Sequence, residues 1–591
     1  MFVTLTSGCG GARSPAAAPG LSGSPCSSQP FWTAERRSEV EAGIRSLGTS
    51  WSAQTSKYVT AEMDQITATQ AGICQAMVAQ KAPPEVAQKV GLCLRSSVLQ
   101  QAALYQALKR PPAARLANVY VALAMITDGT GSCQKDAVWQ SYDGELTDER
   151  LFKAQELSAI AEVARTLDDE RAEEASALAS AAAELSGSKN MRIAALLSAA
   201  LFATEQRMDY QRAKALASQA FTLADGAGQQ FPRALAQQML ARIATSEERY
   251  TEAEALYQGS IKTLEVLLGK ESLLIAETIH ALGQLEMAKG RYRPALVRHE
   301  QATALRVSTL GPAHPLIADS YAATGIMYTR LGDFDKAIAL QQKAIQILEG
   351  ALGADHPNTL VNYIYLGAVH SSRGHHDKAL QVYDKALKSN LSVFGPEHQR
   401  IGGLYSMIGE THSWLENYSE AAKYHERALK ILLASPQSEA IQAAVSHSYT
   451  YGGRAQRALG NHEAALKLHE GALEVSLKFF SPESTDVAVA YLDMGIEHAH
   501  LGRTAEALEL YHRALRIEQN VPKPDDSLLA TIYTYIGDAH DAFKDYDKAI
   551  QTYTQGLRLA QGVSDEHNTE NLISRLKDLC EAGHPTACDI R

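Results

Sequence analysis

The chain has 591 residues, of which 45% are apolar and 21% are charged, so most of it is expected to fold. No apolar run is long enough to span a bilayer. The net charge is −11: residues 1–150 carry 13 basic and 12 acidic residues (+1), and the rest carry 43 and 55 (−12). A mildly acidic surface argues against nucleic acid as a partner, because binding a phosphate backbone requires a basic surface.

Residues 1–30 form a low-complexity leader rich in Gly, Ser, Ala and Pro, which is expected to be disordered. Within it, Thr6-Ser7-Gly8-Cys9-Gly10 resembles a bacterial lipobox, in which the cysteine becomes lipidated after signal cleavage. The preceding segment, MFVTLTSG, lacks the basic residues and the long apolar core of a signal peptide. Two interpretations therefore stay open: Cys9 carries a lipid anchor to a membrane, or the leader is a plain flexible segment.

Residues 31–145 have helical periodicity without an internal repeat, and four helices are expected there in a small helical bundle. In spacing and in Cys74 and Cys93, this region resembles the segment that precedes the repeats in many myxobacterial-type Ser/Thr kinases. A kinase domain itself is not expected, because the glycine-rich loop, the HRD motif and the DFG motif are all missing from the sequence.

From residue 146 to 562 the sequence repeats with a period of 42 residues, interrupted by one step of 44. A tyrosine recurs at this period, a glycine follows it by four residues, and an alanine comes further along each unit. Such a period indicates stacked supersecondary units, here pairs of helices that bury their apolar faces only against their neighbours. The repeating columns are Tyr321, Tyr363, Tyr405, Tyr449, Tyr491 and Tyr533; Gly325, Gly367, Gly409, Gly453, Gly495 and Gly537; Ala337, Ala379, Ala421, Ala465, Ala507 and Ala549.

The pattern Tyr-x3-Gly-x2-Tyr/His followed by Gly-x-Phe/Tyr/His-x2-Ala resembles the tetratricopeptide repeat, with tyrosine in place of the usual tryptophan. The 42-residue period and the loops LGPAHP (310–315) and LGADHP (352–357) resemble the long repeats of kinesin light chains and their bacterial relatives. The resemblance implies an all-α fold, an α-solenoid wound as a right-handed superhelix of about nine to ten helix-turn-helix repeats. Residues 563–591 are expected to form a C-terminal capping helix and a Cys loop.

Seven cysteines allow three disulfides and one unpaired residue. Cys74 and Cys93 lie on adjacent predicted helices on either side of the Pro83-Pro84 turn, and Cys580 and Cys588 flank a short loop. Cys26 and Cys133 would form the third pair and leave Cys9 over. Six paired cysteines would favour an oxidising, extracytoplasmic compartment, as a periplasmic protein or a membrane-anchored lipoprotein. The alternative is small buried thiols in a cytoplasmic protein.

Catalytic and metal-binding motifs are missing from the sequence. Many of the nineteen histidines occupy tyrosine columns, such as His299, His425 and His469 in the second helices, and these are interpreted as packing residues. The HE pairs never extend to HExxH, and neither a P-loop nor GxSxG occurs. Asp538 and Asp541 lie one helical turn apart. These two carboxylates and Glu497 are interpreted as solvated groups on the groove face. The sequence therefore predicts no enzyme, no cofactor and no metal site.

If the chain follows the family, the first helix of each unit lines a concave groove that binds a protein or peptide. Trp414 is the most distinctive of these positions, because it is the only tryptophan in the array and a large aromatic ring in a groove is a typical binding anchor. The alternative is that it packs on Leu415 and Tyr418. Arg454 and Arg457 are the only basic pair among the groove positions. The predicted groove residues are Glu277, His280, Gln284, Arg330, Ser406, Glu410, Trp414, Arg454, Arg457, His500, Asp538 and Asp541.

Two functions follow from this pattern. The first is a non-enzymatic scaffold or adaptor that binds proteins or peptides in its groove. The second is an extracytoplasmic sensory or regulatory component of a bacterial Ser/Thr kinase-type signalling system. The ligand and the oligomeric state are not specified by the sequence.

Overall fold

A computed structural model describes residues 31–49, 51–79, 84–109, 172–205, 209–435, 439–479, 481–521 and 524–588, with residues 123, 155, 158, 159 and 161. Every regular element in these segments is helical, which confirms the predicted all-α class. The α-helices are α1 (Ala34–Arg45), α2 (Ser52–Ala79), α3 (Pro84–Leu108), α4 (Ala172–Ser186), α5 (Lys189–Glu205), α6 (Tyr210–Gly226), α7 (Gln230–Ser246), α8 (Tyr250–Leu268), α9 (Leu273–Ala288), α10 (Tyr292–Leu310), α11 (Pro315–Arg330), α12 (Phe334–Ala351), α13 (Pro357–Ser372), α14 (His376–Phe394), α15 (Gln399–Trp414), α16 (Tyr418–Ala434), α17 (Glu439–Ala458), α18 (His462–Phe479), α19 (Thr485–His500), α20 (Thr504–Asn520), α21 (Asp526–Ala542), α22 (Tyr546–Gly562) and α23 (Glu566–Glu581).

From α5 to α22, first and second helices of the repeats alternate, as the 42-residue period predicts. The fold divides into two compact units, Met1–Val369 (unit 1) and His370–Arg591 (unit 2). This division falls inside the predicted repeat array. The predicted domain boundaries near residues 30, 145 and 562 stay predictions, and the first two lie at or within stretches outside the described residues.

The glycine column is explained by the contact between the two helices of each pair. A Cβ atom added to Gly325 would lie 2.9 Å from the Gln341 amide, and one added to Gly409 would lie 2.9 Å from the His425 ring. The predicted role of these glycines in close helix approach is therefore confirmed. In the second helices from α8 to α22, the facing position is filled by a large buried side chain: Tyr257, His299, Gln341, Tyr383, His425, His469, Tyr511 and Tyr553.

The histidine of each Gly-x-x-His loop between repeats caps the first helix that follows it. The Nδ1 atom of His314 accepts a hydrogen bond from the backbone N–H of Leu316 at 3.1 Å, and His398 accepts one from Arg400 at 3.2 Å. Such a cap satisfies one of the backbone N–H groups that lack a partner at a helix start. Because Nδ1 accepts, the proton of the neutral ring resides on Nε2, which makes that atom a donor.

In unit 1, helix α2 lies across the loops between successive repeats. The Trp51 ring meets the His356 ring edge-to-face at 4.9 Å, and the Tyr58 hydroxyl lies 3.1 Å from His314 Nε2. Between them, the Thr55 hydroxyl donates to the Leu352 carbonyl at 2.9 Å. Seven helical residues rise by about 10 Å, so two aromatic residues seven apart reach two loops that are 42 residues apart.

The C-terminal half of α2 and helix α3 also pack on the repeats of unit 1. Ile73 of α2 and Leu94 of α3 share an apolar cluster with Leu264, Leu268 and Ile275 of the repeats. Cys93 belongs to the same cluster, with Cys74 packed against it, and both cysteines are disulfide-bonded. Their predicted pairing with each other stays a prediction, and the predicted Cys26–Cys133 pair and Cys9 lie outside the described residues.

At the C-terminal end of unit 2, α23 packs on α22 and continues into a short 3-10 turn, Pro585–Ala587. Leu572, Leu576 and Leu579 bury the apolar face of α23 together with Ala587. A disulfide joins Cys580 to Cys588 across this turn, with a Cα–Cα distance of 5.1 Å. None of the helices in the described part of the chain is long and apolar enough to cross a membrane.

Candidate functional site

The first helices of unit 2 contact one another from α15 through α17 and α19 to α21. We call the surface that these four helices form the inner face of unit 2. Eight predicted groove residues belong to this unit, and they lie on these helices: Ser406, Glu410, Trp414, Arg454, Arg457, His500, and the pair Asp538 and Asp541 at its far end.

Trp414 is the last residue of α15 and is 59% exposed, the largest aromatic exposure among the described residues. Its ring stacks on His376, with the two planes 3° apart and the ring centres separated by 5.9 Å. The indole is thus supported from one side by a neighbouring ring and open to solvent elsewhere. An exposed, supported aromatic ring is a suitable anchor for a ligand side chain.

Glu410 lies one helical turn before Trp414 and belongs to a chain of hydrogen bonds. The Ser448 hydroxyl donates to Ser406 Oγ at 2.8 Å, and Ser406 Oγ lies 3.1 Å from His447 Nδ1. His447 Nε2 then lies 3.4 Å from the Glu410 carboxylate. Burial by itself would raise the pKa of Glu410, but hydrogen bonds from His447 and Trp414 offset it, so the pKa lies below its usual range. Glu410 is therefore ionised at neutral pH.

Arg454 and Arg457 hold two carboxylates of the next first helix. Arg454 donates to both Asp493 oxygens, with Nη2–Oδ2 at 3.0 Å, and Arg457 Nη2 donates to Asp493 Oδ1 at 2.8 Å. The Arg457 Nε atom also bonds to Glu497. Asp493 is 2% exposed and Glu497 fully buried, so these ions depend on the arginines for compensation. Burial acts to raise the pKa of Asp493, yet Arg454, His469 and Arg457 hold it far below its usual range.

Histidines complete this ionic cluster. His462 Nδ1 lies 3.0 Å from Glu497 Oε2, and the exposed ring of His500 stacks on His462 with a centre separation of 4.5 Å. His469, which is fully buried below, lies 3.7 Å from Glu497 Oε1. Burial, together with nearby arginines, lowers the pKa of His469 to about 4. The interpretation of Glu497 as a solvated carboxylate is therefore wrong, because it is enclosed by these groups.

The far end of the inner face is acidic. Asp538 accepts hydrogen bonds from the Tyr553 hydroxyl at 2.7 Å and from Arg575 Nη2 at 3.1 Å. Asp541 lies one turn later in α21 and is exposed. The interpretation of both as solvated carboxylates holds for Asp541 only, because Asp538 is half-buried and bonded.

The four predicted residues of unit 1 lie on α9 and α11. His280 Nδ1 contacts His299 Nδ1 at 3.1 Å, and Gln284 lies 3.3 Å from His280 Nε2. Burial lowers the pKa of His280 to about 3, so this ring is neutral. Glu277 and Arg330 are exposed. These residues form no counterpart of the ionic cluster in unit 2.

A cavity of about 660 Å³ lies in unit 1, between α10, α11 and α12. Its floor includes Tyr321 and Tyr328. Lys343 and Lys336 already lie over these rings at 5.8 and 5.0 Å. Because the rings are covered by side chains of the same unit, we consider the inner face of unit 2 the stronger candidate.

Sequence reasoning placed Arg454 and Arg457 in the groove but missed the carboxylates that they bind. The signal was present: Asp493 and Glu497 follow the arginines by 36 to 40 residues, close to one repeat, on the next first helix. Within the described segments, His, Cys, Asp and Glu nowhere form a group of three able to hold a metal ion.

The alternating helices, the close glycine contacts and an inner face lined by first helices define a helical-repeat binding scaffold. A tetratricopeptide repeat model matches residues 233–308, 299–349, 316–392, 448–517 and 498–562, and a second such model matches 403–432. Together these matches cover just over half of the chain. The chain belongs to the tetratricopeptide repeat proteins, which are generally non-catalytic scaffolds for protein interaction.

Several solved structures are similar in fold. BtubC (BKLC) from P. vanneervenii is 20% identical over 39% of this chain and 92% of its own, with a TM-score of 0.34. A Podosopora anserina kinesin light chain protein with nearly identical TPR-like repeats is 17% identical over 36% and 99%, with a TM-score of 0.31. The quorum sensor NprR from B. thuringiensis is 13% identical over 62% and 97%, with a TM-score of 0.43.

None of the curated proteins compared with this chain matches it in sequence. The family matches begin at residue 233, so the resemblance of residues 31–145 to a segment of Ser/Thr kinases stays a prediction.

Proposed function

We propose that this protein is a non-enzymatic adaptor that binds an extended segment of a partner protein along the inner face of unit 2. The observation that supports this most is Trp414, a supported and exposed ring beside the ionised Glu410. The hydrogen-bonded chain from Ser448 to Glu410 and the arginine-carboxylate cluster fix the side chains around it. A prearranged surface loses little conformational entropy when a ligand binds.

Site-specific photo-crosslinking in living cells of the source organism tests this proposal. A photoreactive phenylalanine at position 414 is expected to give a discrete crosslinked partner. The matched control places the same residue at Phe479, the exposed last residue of the second helix α18. A partner crosslinked from both positions equally, or from position 479 alone, would contradict binding at the inner face.

We also propose that the protein works outside the cytoplasm, as a periplasmic or membrane-anchored protein. This is supported by the Cys580–Cys588 bond and by the disulfide-bonded state of Cys74 and Cys93, because disulfides persist mainly in oxidising compartments. Treatment of intact cells with a thiol-alkylating reagent, without prior reduction, is expected to leave these four cysteines unlabelled. Labelling of Cys580 and Cys588 would indicate a reducing compartment.

A further inference from the structure

The first helices of unit 2 are strongly acidic. Helices α15, α17, α19 and α21 carry eight carboxylates and three arginines, and no lysine, which gives a formal charge of −5. Asp486 and Asp526 lie in the first turns of their helices, where the helix dipole stabilises a negative charge, and Glu439 is the first residue of α17. The other five lie further along: Glu410, Asp493, Glu497, Asp538 and Asp541.

The arginines leave little positive charge for a ligand. Arg454 and Arg457 both bind Asp493, and Arg457 binds Glu497 as well. Arg454 keeps 41% of its side chain exposed but donates to both Asp493 oxygens, and Arg457 is 20% exposed. An acidic ligand would therefore compete with two buried carboxylates, whose loss of partners is costly. Charge complementarity favours the opposite sign of ligand.

Glu410 and Trp414 together have the chemistry of a site for a cationic side chain. They are four residues apart in α15 and so lie on the same side of that helix. Hydrogen bonds to the Glu410 carboxylate come from His447, Trp414 and Tyr451, none of which is lysine or arginine. An ammonium or guanidinium group over the face of an indole is attracted by the ring quadrupole, most strongly for tryptophan.

We propose that the inner face of unit 2 recognises a basic segment of its partner, with one lysine or arginine side chain lying on Trp414 and its charge against Glu410. A second basic residue would approach the exposed Asp541 at the far end of the face. This proposal rests on the proposed function, because it specifies the chemistry of the ligand that binds there. The acidic inner face would also select against acidic segments, because the same carboxylates would repel them.

Fluorescence anisotropy with the full chain and three labelled peptides tests the charge preference. The peptides share a flexible Gly/Ser backbone of about twelve residues and differ only in carrying lysine, glutamine or glutamate at the same four positions. The lysine peptide is expected to bind roughly tenfold tighter than the glutamine peptide, and the glutamate peptide more weakly than either. Raising the ionic strength from about 0.05 M to about 0.5 M should remove most of this preference, because salt screens exposed charges.

Paired variants locate the site. Trp414→Ala is expected to weaken lysine-peptide binding by roughly tenfold and Glu410→Gln by about threefold to tenfold. The matched controls are Phe479→Ala and Glu426→Gln, which remove an exposed ring and an exposed carboxylate from second helices. Both controls should leave the affinity unchanged.

The possible results separate this proposal from the proposed function. Tighter binding of the glutamate peptide, or no charge preference together with a crosslinked partner from position 414, would overturn the basic-ligand proposal while leaving an inner-face adaptor intact. Lysine-peptide binding that is equal in Trp414→Ala, Glu410→Gln and the controls would overturn the assignment of the site. Failure of every peptide to bind, with no crosslink from position 414, would overturn both.

Discussion

Units 1 and 2 are built from the same repeat but carry different charge on their first helices. In unit 1, helices α5, α7, α9 and α11 hold five basic and four acidic residues, for a formal charge of +1. In unit 2, the corresponding helices hold three and eight, for −5. The columns of glycine, alanine and a large second-helix side chain are alike in both. The repeat therefore sets the fold, and the positions between its columns set the binding chemistry.

The stability of unit 2 should depend strongly on one arginine of the ionic cluster, Arg457. Arg457→Met leaves the buried Glu497 without a guanidinium partner and leaves Asp493 with Arg454 alone. It is expected to lower the free energy of unfolding of unit 2 by roughly 3–5 kcal/mol. Hydrogen exchange of α17 and α19 would measure the loss, with α9 and α11 of unit 1 as the internal reference.

The control for this variant is Arg558→Met, which replaces an exposed arginine of α22 and should cost less than about 0.5 kcal/mol. Equal effects of the two variants would show that the cluster does not stabilise unit 2.

The stability of unit 1 should instead depend on the packing of α2 against the loops between its repeats. A Cβ atom at Gly353 would lie 2.7 Å from Trp51 Cβ, and the residue has a φ of +108°. Gly353→Ala is expected to cost roughly 2–4 kcal/mol, combining backbone strain with overpacking. Increased hydrogen exchange throughout α2 would show the undocking.

Gly332→Ala is the matched control, because Gly332 has a φ of +79° and no atom within 4 Å of an added Cβ. It should cost only about 1 kcal/mol from backbone strain, with α2 still protected. If both variants behave alike, the contact of α2 with the loop is not tight.

Lowering the pH should reduce the free energy of unfolding of both units, because each contains a buried histidine that must stay neutral in the folded state. Burial and Arg306 lower the pKa of His299 to about 4, and burial with His447 lowers that of His425 to about 3, although Glu410 opposes the shift. The unfolded chain takes up protons near pH 6.5 and the folded chain does not, so stability is complete above that pH and falls as the pH drops toward 4. The slope is up to about 1.4 kcal/mol per pH unit for each histidine.

His299→Gln tests this pH dependence. Glutamine fits the position, because Gln341 fills the same column in the next repeat. The variant should reduce the pH dependence of unit 1 unfolding between pH 6.5 and 4.5 and leave that of unit 2 unchanged. His425→Gln should do the converse. An unaltered slope in both variants would mean that these histidines are already protonated or do not affect stability.

The smallest expected effect concerns one hydroxyl. Tyr58→Phe removes the contact with His314 Nε2 and should destabilise α2 docking by about 1 kcal/mol. Tyr292→Phe, a half-buried tyrosine of unit 1, is the control and should change stability by less than about 0.5 kcal/mol. Equal exchange rates in α2 for the two variants would contradict a role for the Tyr58–His314 contact.

The repeat columns predicted the helix pairs because each column has a fixed packing partner, such as His425 against Gly409. The ionic cluster escaped sequence reasoning because a carboxylate on a first helix either faces solvent or faces the next repeat, and periodicity does not distinguish the two. Asp541 and Asp493 illustrate both outcomes. The docking of α2 was missed for another reason. Trp51 and Tyr58 lie seven residues apart, but only the structure brings Tyr58 to a loop 256 residues further along the chain and Trp51 to the loop after it.

The central claim is that ligand binding follows the charge difference between the two sets of first helices. Hydrogen exchange of the full chain with and without the lysine peptide tests it most directly. We expect added protection in α15, α17 and α21 of unit 2, and none in α9 and α11 of unit 1. Protection of the unit 1 helices with none in unit 2 would contradict it.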